Sequence, residues 1–128
     1  MLVFDPYTPC HGISLSPDET EIYLIDVANA YVHVFNVSGL PNSAPVLVAN
    51  VPLTTNFSGV ESPCLPSFNC EREGWLRHNH DGRYVLVNDS GNVIDTTTRQ
   101  VVNTIRNSSG TPIDFAGQIA PNRLTYGG

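Results

Sequence analysis

The chain has 128 residues, 41% hydrophobic and 14% charged, which suits about one ordinary domain with a packed core. Its net charge is −6, with six Arg and no Lys. An acidic chain without a basic run excludes a nucleic-acid surface, because phosphate binding needs clustered positive charge. No apolar run reaches the roughly 18 residues of a membrane helix, so no membrane span is expected.

Ten Gly and ten Pro punctuate the chain at short intervals. Such spacing suits many short strands and turns rather than long helices. Residues 1–10 carry one short apolar run, Leu2-Val3-Phe4, then Pro6 and Pro9, and form a lead-in. They lack the basic and apolar regions of a signal peptide. Met1 is either a true start or a cut within a longer protein.

Residues 11–51 form a first unit. Ile13 and Leu15 alternate with Ser14 and Ser16, the period of a strand with one buried face. Pro17-Asp18-Glu19-Thr20 is a turn, since Pro presets φ and Asp bonds nearby backbone. Ile22-Tyr23-Leu24-Ile25 is a continuous apolar strand, expected to be covered on both faces. Tyr31 to Val37 and Val46 to Val51 are the third and fourth strands, and His33 falls on a solvent side.

Residues 52–72 read as a long loop, rich in Pro, Ser and Asn. A loop of that length inside a compact domain is often functional. Cys64 and Cys70 lie within it, close enough for a local disulfide in an oxidising compartment, which would leave Cys10 unpaired.

Residues 73–105 repeat the first unit. Aligning Asp18 with Asp81 sets Ile13 opposite Leu76, Leu15 opposite His78, Ile22 opposite Val85 and Asp26 opposite Asp89. The second unit is then about four residues shorter, and Val34-Phe35-Asn36 matches Val93-Ile94-Asp95. Asp81-Gly82 and Ser90-Gly91 are two-residue hairpin signals. Gln100 to Ile105 is the last strand of the unit. Residues 106–128 form a turn-rich tail with one further candidate strand at Ile113-Asp114-Phe115. The fold class is all-β, with eight strands in two antiparallel groups of four.

His11-Gly12-Ile13, Ser16-Pro17-Asp18 and Val32-His33-Val34-Phe35-Asn36-Val37 are similar to the blades of YVTN-type β-propellers, a group related in look to NHL and WD-like repeats. So are Asp81-Gly82-Arg83-Tyr84-Val85, Asn92 to Thr96 and Arg99 to Ile105. His80 departs from the pattern where the first unit has Pro17, and the inter-unit loop is longer than the group's. The resemblance implies a partial propeller of two blades, whereas closed propellers have about 4–8. A bare blade face of about 400 Å² leaves roughly 10 kcal/mol unburied. Further blades of the same protein, or self-association, are therefore the expected partners.

The resemblance also implies that Cys10, His11, Glu73 and Trp75 lie near the mouth of a central channel, where ligands bind. Cys10, His11 and Glu73 could hold a borderline metal; alternatively His11 makes a structural hydrogen bond and Cys10 is a small core residue. Trp75 either stacks on a ligand or wedges between blades. His78 and His80 are a weak metal pair, lacking a third ligand. Asp26 and Asp89 recur at strand ends, which favours turn capping over acid–base work. No nucleophile motif, phosphate loop or cofactor signature emerges.

The expected function is a binding or scaffold module that takes a protein or small-molecule ligand. A piece of a propeller enzyme, either a lactonase-like hydrolase or a quinoprotein-like dehydrogenase, is one alternative. A secreted surface recognition protein is another. Asn-x-Ser triplets at Asn36, Asn56, Asn88 and Asn107 suit that last reading and an extracellular or periplasmic location.

Overall fold

A computed structural model describes residues 12–27, 29–54, 75–88 and 90–110. It contains eight strands: β1 Ile13–Leu15, β2 Glu21–Asp26, β3 Tyr31–Asn36, β4 Val46–Pro52, β5 Leu76–His78, β6 Tyr84–Val87, β7 Asn92–Asp95 and β8 Gln100–Thr104. They form two four-stranded sheets in chain order, β1 to β4 and β5 to β8, with every neighbouring pair antiparallel. No helix occurs among the described residues. The two sheets stack as adjacent, partial blades of a β-propeller do, inner strand β1 near β5 and outer strand β4 near β8.

Turn chemistry sets the register. Ser16 Oγ donates to Asp18 Oδ1 at 2.7 Å and accepts the Glu21 N–H at 3.0 Å, while Asp18 Oδ1 also accepts the Thr20 N–H and hydroxyl. In the second sheet Asn79 Oδ1 accepts the Tyr84 N–H at 2.9 Å, and Asp81 Oδ1 accepts the Arg83 N–H at 2.9 Å. The Asn79 N–H also bonds the Tyr84 carbonyl. Four residues, 80–83, therefore make this turn, not the two expected from Asp81-Gly82. The side-chain bonds from Asn79 and Asp81 stabilise the wider loop.

The repeat extends to an irregularity. Val34 pairs with Ala49 but Phe35 pairs with Leu47, which leaves Val48 as an extra residue on β4. Val93 pairs with Asn103 but Ile94 pairs with Val101, which leaves Val102 as the extra residue on β8. Both sheets thus carry a β-bulge at the same place on the outermost strand.

One hydrophobic core lies between the sheets. Tyr23, Ile25, Val32, Val34 and Val51 of the first sheet meet Leu76, Val85, Val87 and Ile94 of the second. Ile22 and Leu24 alternate onto the other side of β2 and are only half-buried. The strand expected to be covered twice is covered fully on one face alone.

Candidate functional site

Polar contacts among the described residues tie the sheets together across that core, and three places stand out. At the inner strands, Ser14 Oγ accepts the His78 N–H at 3.1 Å and lies 2.8 Å from His78 Nδ1. Which of the two groups donates depends on the ring's tautomer, since the hydroxyl oxygen has a second lone pair to offer. The ring's Nε2 is buried and has no partner among the described residues. The ring stands edge-on to Tyr23, with centroids 4.8 Å apart. Burial pushes the His78 pKa down, and the negative charges of Glu21 and Asp18 only partly oppose this. A serine beside an imidazole is the raw material of a nucleophile. Among the described residues no carboxylate bonds the ring to orient it.

The second contact joins Arg99, in the turn before β8, to Glu21 on β2. Tyr23 donates to the same carboxylate at 3.4 Å. Burial, with the Glu21 charge beside it, pushes the Tyr23 phenol up to about 12. The third contact centres on Asn92, which is fully buried. Its Oδ1 accepts the Thr54 N–H at 3.1 Å, and its Nδ2 donates to Thr54 Oγ1 at 2.8 Å and Thr104 Oγ1 at 2.9 Å.

A groove of about 490 Å³ opens between the turns at one end of the seam, with Asp18, Thr20, Glu21, Asp81, Gly82 and Thr96 among its lining. Side-chain hydrogen bonds from Ser16 and Thr20 hold the Asp18 carboxyl below its usual value. The Arg83 backbone N–H does the same for Asp81. Both carboxylates are thus committed to their own turns. Among the described residues, no three His, Cys, Asp or Glu are grouped where they could hold a metal ion.

The far face of the first sheet carries a second polar cluster. His33 Nε2 lies 3.1 Å from Asp26 Oδ2, and His33 Nδ1 lies 2.6 Å from Asn50 Oδ1. Tyr31 stacks on His33, with centroids 6.3 Å apart. Burial alone would raise the Asp26 carboxyl, but hydrogen bonds from Asn29 and His33 outweigh it and bring the pKa below the usual value. His33 lies on the side away from the core as expected, but its side chain, bonded to Asp26 and Asn50, is only 12% exposed. Asp26 caps its turn as expected, through the Asn29 N–H at 3.1 Å.

Around this cluster the face is apolar and open. Ile13 is 59% exposed, Leu15 47% and Leu47 47%. Their repeat counterparts in the second sheet are Leu76, His78 and Val101, of which Leu76 and His78 are buried and Val101 packs on the core. Ile22, Leu24 and Phe35 are half-buried, while their counterparts Val85, Val87 and Ile94 have no exposed surface. The same side of the blade is therefore covered in the second sheet and uncovered in the first.

Of the residues singled out from sequence, Cys10, His11, Glu73, Cys64 and Cys70 lie outside the described residues, as does the candidate strand at 113–115. Trp75 is half-buried just before β5, and its carbonyl accepts the Asn88 N–H at 2.8 Å. Asn88 is buried, and neither polar side-chain atom of its amide has a partner among the described residues. His80 is exposed in the turn, while His78 points into the seam. No helix of the described residues is long and apolar enough to cross a membrane.

No family model matches the chain, and no curated protein matches it. Among solved structures it is similar to hydrazine synthase of Kuenenia stuttgartiensis, at 16% identity and a TM-score of 0.55, over 80% of this chain and 25% of that one. The chain thus spans about a quarter of that protein's length. At this identity the likeness carries the fold alone: two antiparallel four-stranded sheets in a propeller-like arrangement.

Proposed function

We propose that the chain is a YVTN-type propeller segment acting as a binding or scaffold module, and that the open face of β1 to β4 is its binding surface. One observation carries this reading. Ile13 and Leu15 are exposed while their counterparts Leu76 and His78 are buried under a neighbouring sheet. A face with the pattern of a covered blade, standing uncovered, marks an interaction surface. Among the described residues no carboxylate bonds the His78 ring of the Ser14–His78 pair.

The test is an apolar fluorescent dye at low protein concentration, compared between the wild type and Ile13→Arg/Leu15→Arg. The wild type should bind the dye and the double variant should lose most of that signal. Equal signals would mean that the face is already covered. Lactone hydrolysis or dye-linked dehydrogenation by the chain alone would overturn the reading in favour of an enzyme.

The surface-recognition alternative narrows to particular Asn residues. Asn88 is 3% exposed and cannot accept a glycan, whereas Asn107 stands exposed in a turn. Passage through a glycosylating secretory pathway should modify Asn107 and leave Asn88 bare.

A further inference from the structure

We propose that the open face of the first sheet receives the second sheet of another copy of this chain, so that copies join head to tail into a closed ring. This deepens the binding-module reading and rests on it.

The chain already contains the interface in question. Inside one copy, the β5 to β8 sheet lays Leu76, Val85, Val87 and Ile94 against Tyr23, Ile25, Val32, Val34 and Val51. These are opposite sides of the repeat, so the contact is heterologous and, among the described residues, leaves each side once without a facing sheet. The unfilled copy of the first side is Ile13, Ile22, Leu24 and Phe35, with Leu15 and Leu47 beside them. The unfilled copy of the second side is on the β5 to β8 sheet. There Leu86 stands at the place of Tyr23, Val93 at that of Val34 and Ile105 at that of Val51, each half-buried. The Ile105 N–H bonds the Gly91 carbonyl, as Val51 pairs with Val32, so the backbone register is the same.

The polar part of the seam also has its counterpart. Asn92 bonds Thr104 within its own sheet and Thr54 across the seam. The repeat places His33 at Asn92 and Asn50 at Thr104, and His33 does bond Asn50. The residue at the place of Thr54 is Ser108, which is exposed. In the ring, Ser108 of one copy meets His33 of the next.

A heterologous contact either closes into a ring or grows into a filament. Closed propellers of about 4–8 blades correspond to two, three or four copies of a two-blade chain.

The experiment is light scattering coupled to size exclusion on residues 1–128, from low micromolar concentration upward. The expected result is a mass that levels off at two, three or four copies. A monomer at every concentration, or a mass that keeps growing, overturns the ring. Leu15→Arg should be a folded monomer; Ile13→Glu, at the more exposed neighbouring position, supplies the same readout if Leu15→Arg fails to fold. Register is tested by mixing His33→Cys with Ser108→Cys, each with Cys10, Cys64 and Cys70 replaced by Ser. A disulfide between the two variants is expected, and an assembly that never forms it overturns the assignment of faces. Dye binding by a chain that stays monomeric at every concentration would sink the ring while leaving the binding-module reading standing; a chain that stays monomeric and binds no dye would remove both.

Discussion

His78 occupies, in the second sheet, the position that Leu15 holds in the first, and it is the histidine that is buried, 8% exposed against 47%. Burial holds its pKa below the ordinary 6.5. The folded state therefore binds this proton less readily than the unfolded chain. Stability should be complete above the unfolded pKa and fall as the pH drops from about 6.5 toward the folded pKa. His78→Leu restores the residue of the first unit and should remove that slope, with a change of less than about 1.5 kcal/mol at neutral pH. Urea unfolding at about pH 7.5 and pH 5.5 measures both effects. A wild type equally stable at the two values would contradict the assignment.

Glu19 and Gly82 occupy matching turn positions, and both have positive φ, 61° and 75°. For Glu this region is strained by about 1 kcal/mol, whereas Gly enters it freely. Glu19→Gly should therefore stabilise the chain by roughly 0.5 kcal/mol despite the added unfolded-state entropy. Gly82→Ala should do the reverse and more. Its new methyl would lie 2.8 Å from Pro17 Cδ, across the seam, in a backbone conformation that disfavours it. Thermal melts of the two variants should move in opposite directions.

Asn92 is the fully buried amide that ties Thr54 to the second sheet. Asn92→Ala leaves the Thr54 N–H and two hydroxyls without this partner and should cost about 2–3 kcal/mol. Thr54→Ala removes one hydroxyl and should cost about 1 kcal/mol. A double-mutant cycle should give a coupling of at least about 0.5 kcal/mol, as expected for direct partners. Additive effects would mean that the seam does not depend on this contact.

Asp26 titrates below its usual value because hydrogen bonds from Asn29 and His33 outweigh the opposing effect of its burial. Its contribution is present above the unfolded value of 3.8 and is lost as the pH falls through the folded pKa. Asp26→Asn should lower stability at neutral pH by about 1 kcal/mol and flatten the acid limb below about pH 4. This window lies well under that of His78, so acid unfolding curves of the two variants separate the groups.

The strands and their repeat were legible because alternation along Ile13–Leu15 and the Ser-Pro-Asp turn are local signals. Which faces are covered was not legible, because Leu15 and His78 share the same strand pattern and differ only in what stacks on them. His33 shows the same limit: alternation placed it opposite Val32 and Val34, but only the hairpin brings Asp26 and Asn50 to its ring. The seam contacts join residues 38, 64 and 78 positions apart, beyond any local signal. Of the channel-mouth residues expected from sequence, Trp75 alone lies within the described part of the chain.

The paired bulges on the outermost strands bear on how such a chain stays out of aggregates. β4 is an edge strand with Val46, Leu47 and Val48 exposed, and β8 is an edge strand with Val102 exposed. A flat strand of that composition would be a template for sideways pairing with another chain. The extra residue, Val48 or Val102, breaks the even spacing of backbone donors and acceptors and bends the strand. An incoming strand then finds no continuous ladder to zip against. Among the described residues the bulges thus make both outer edges poor templates for lateral growth, while the open face of the first sheet stays exposed.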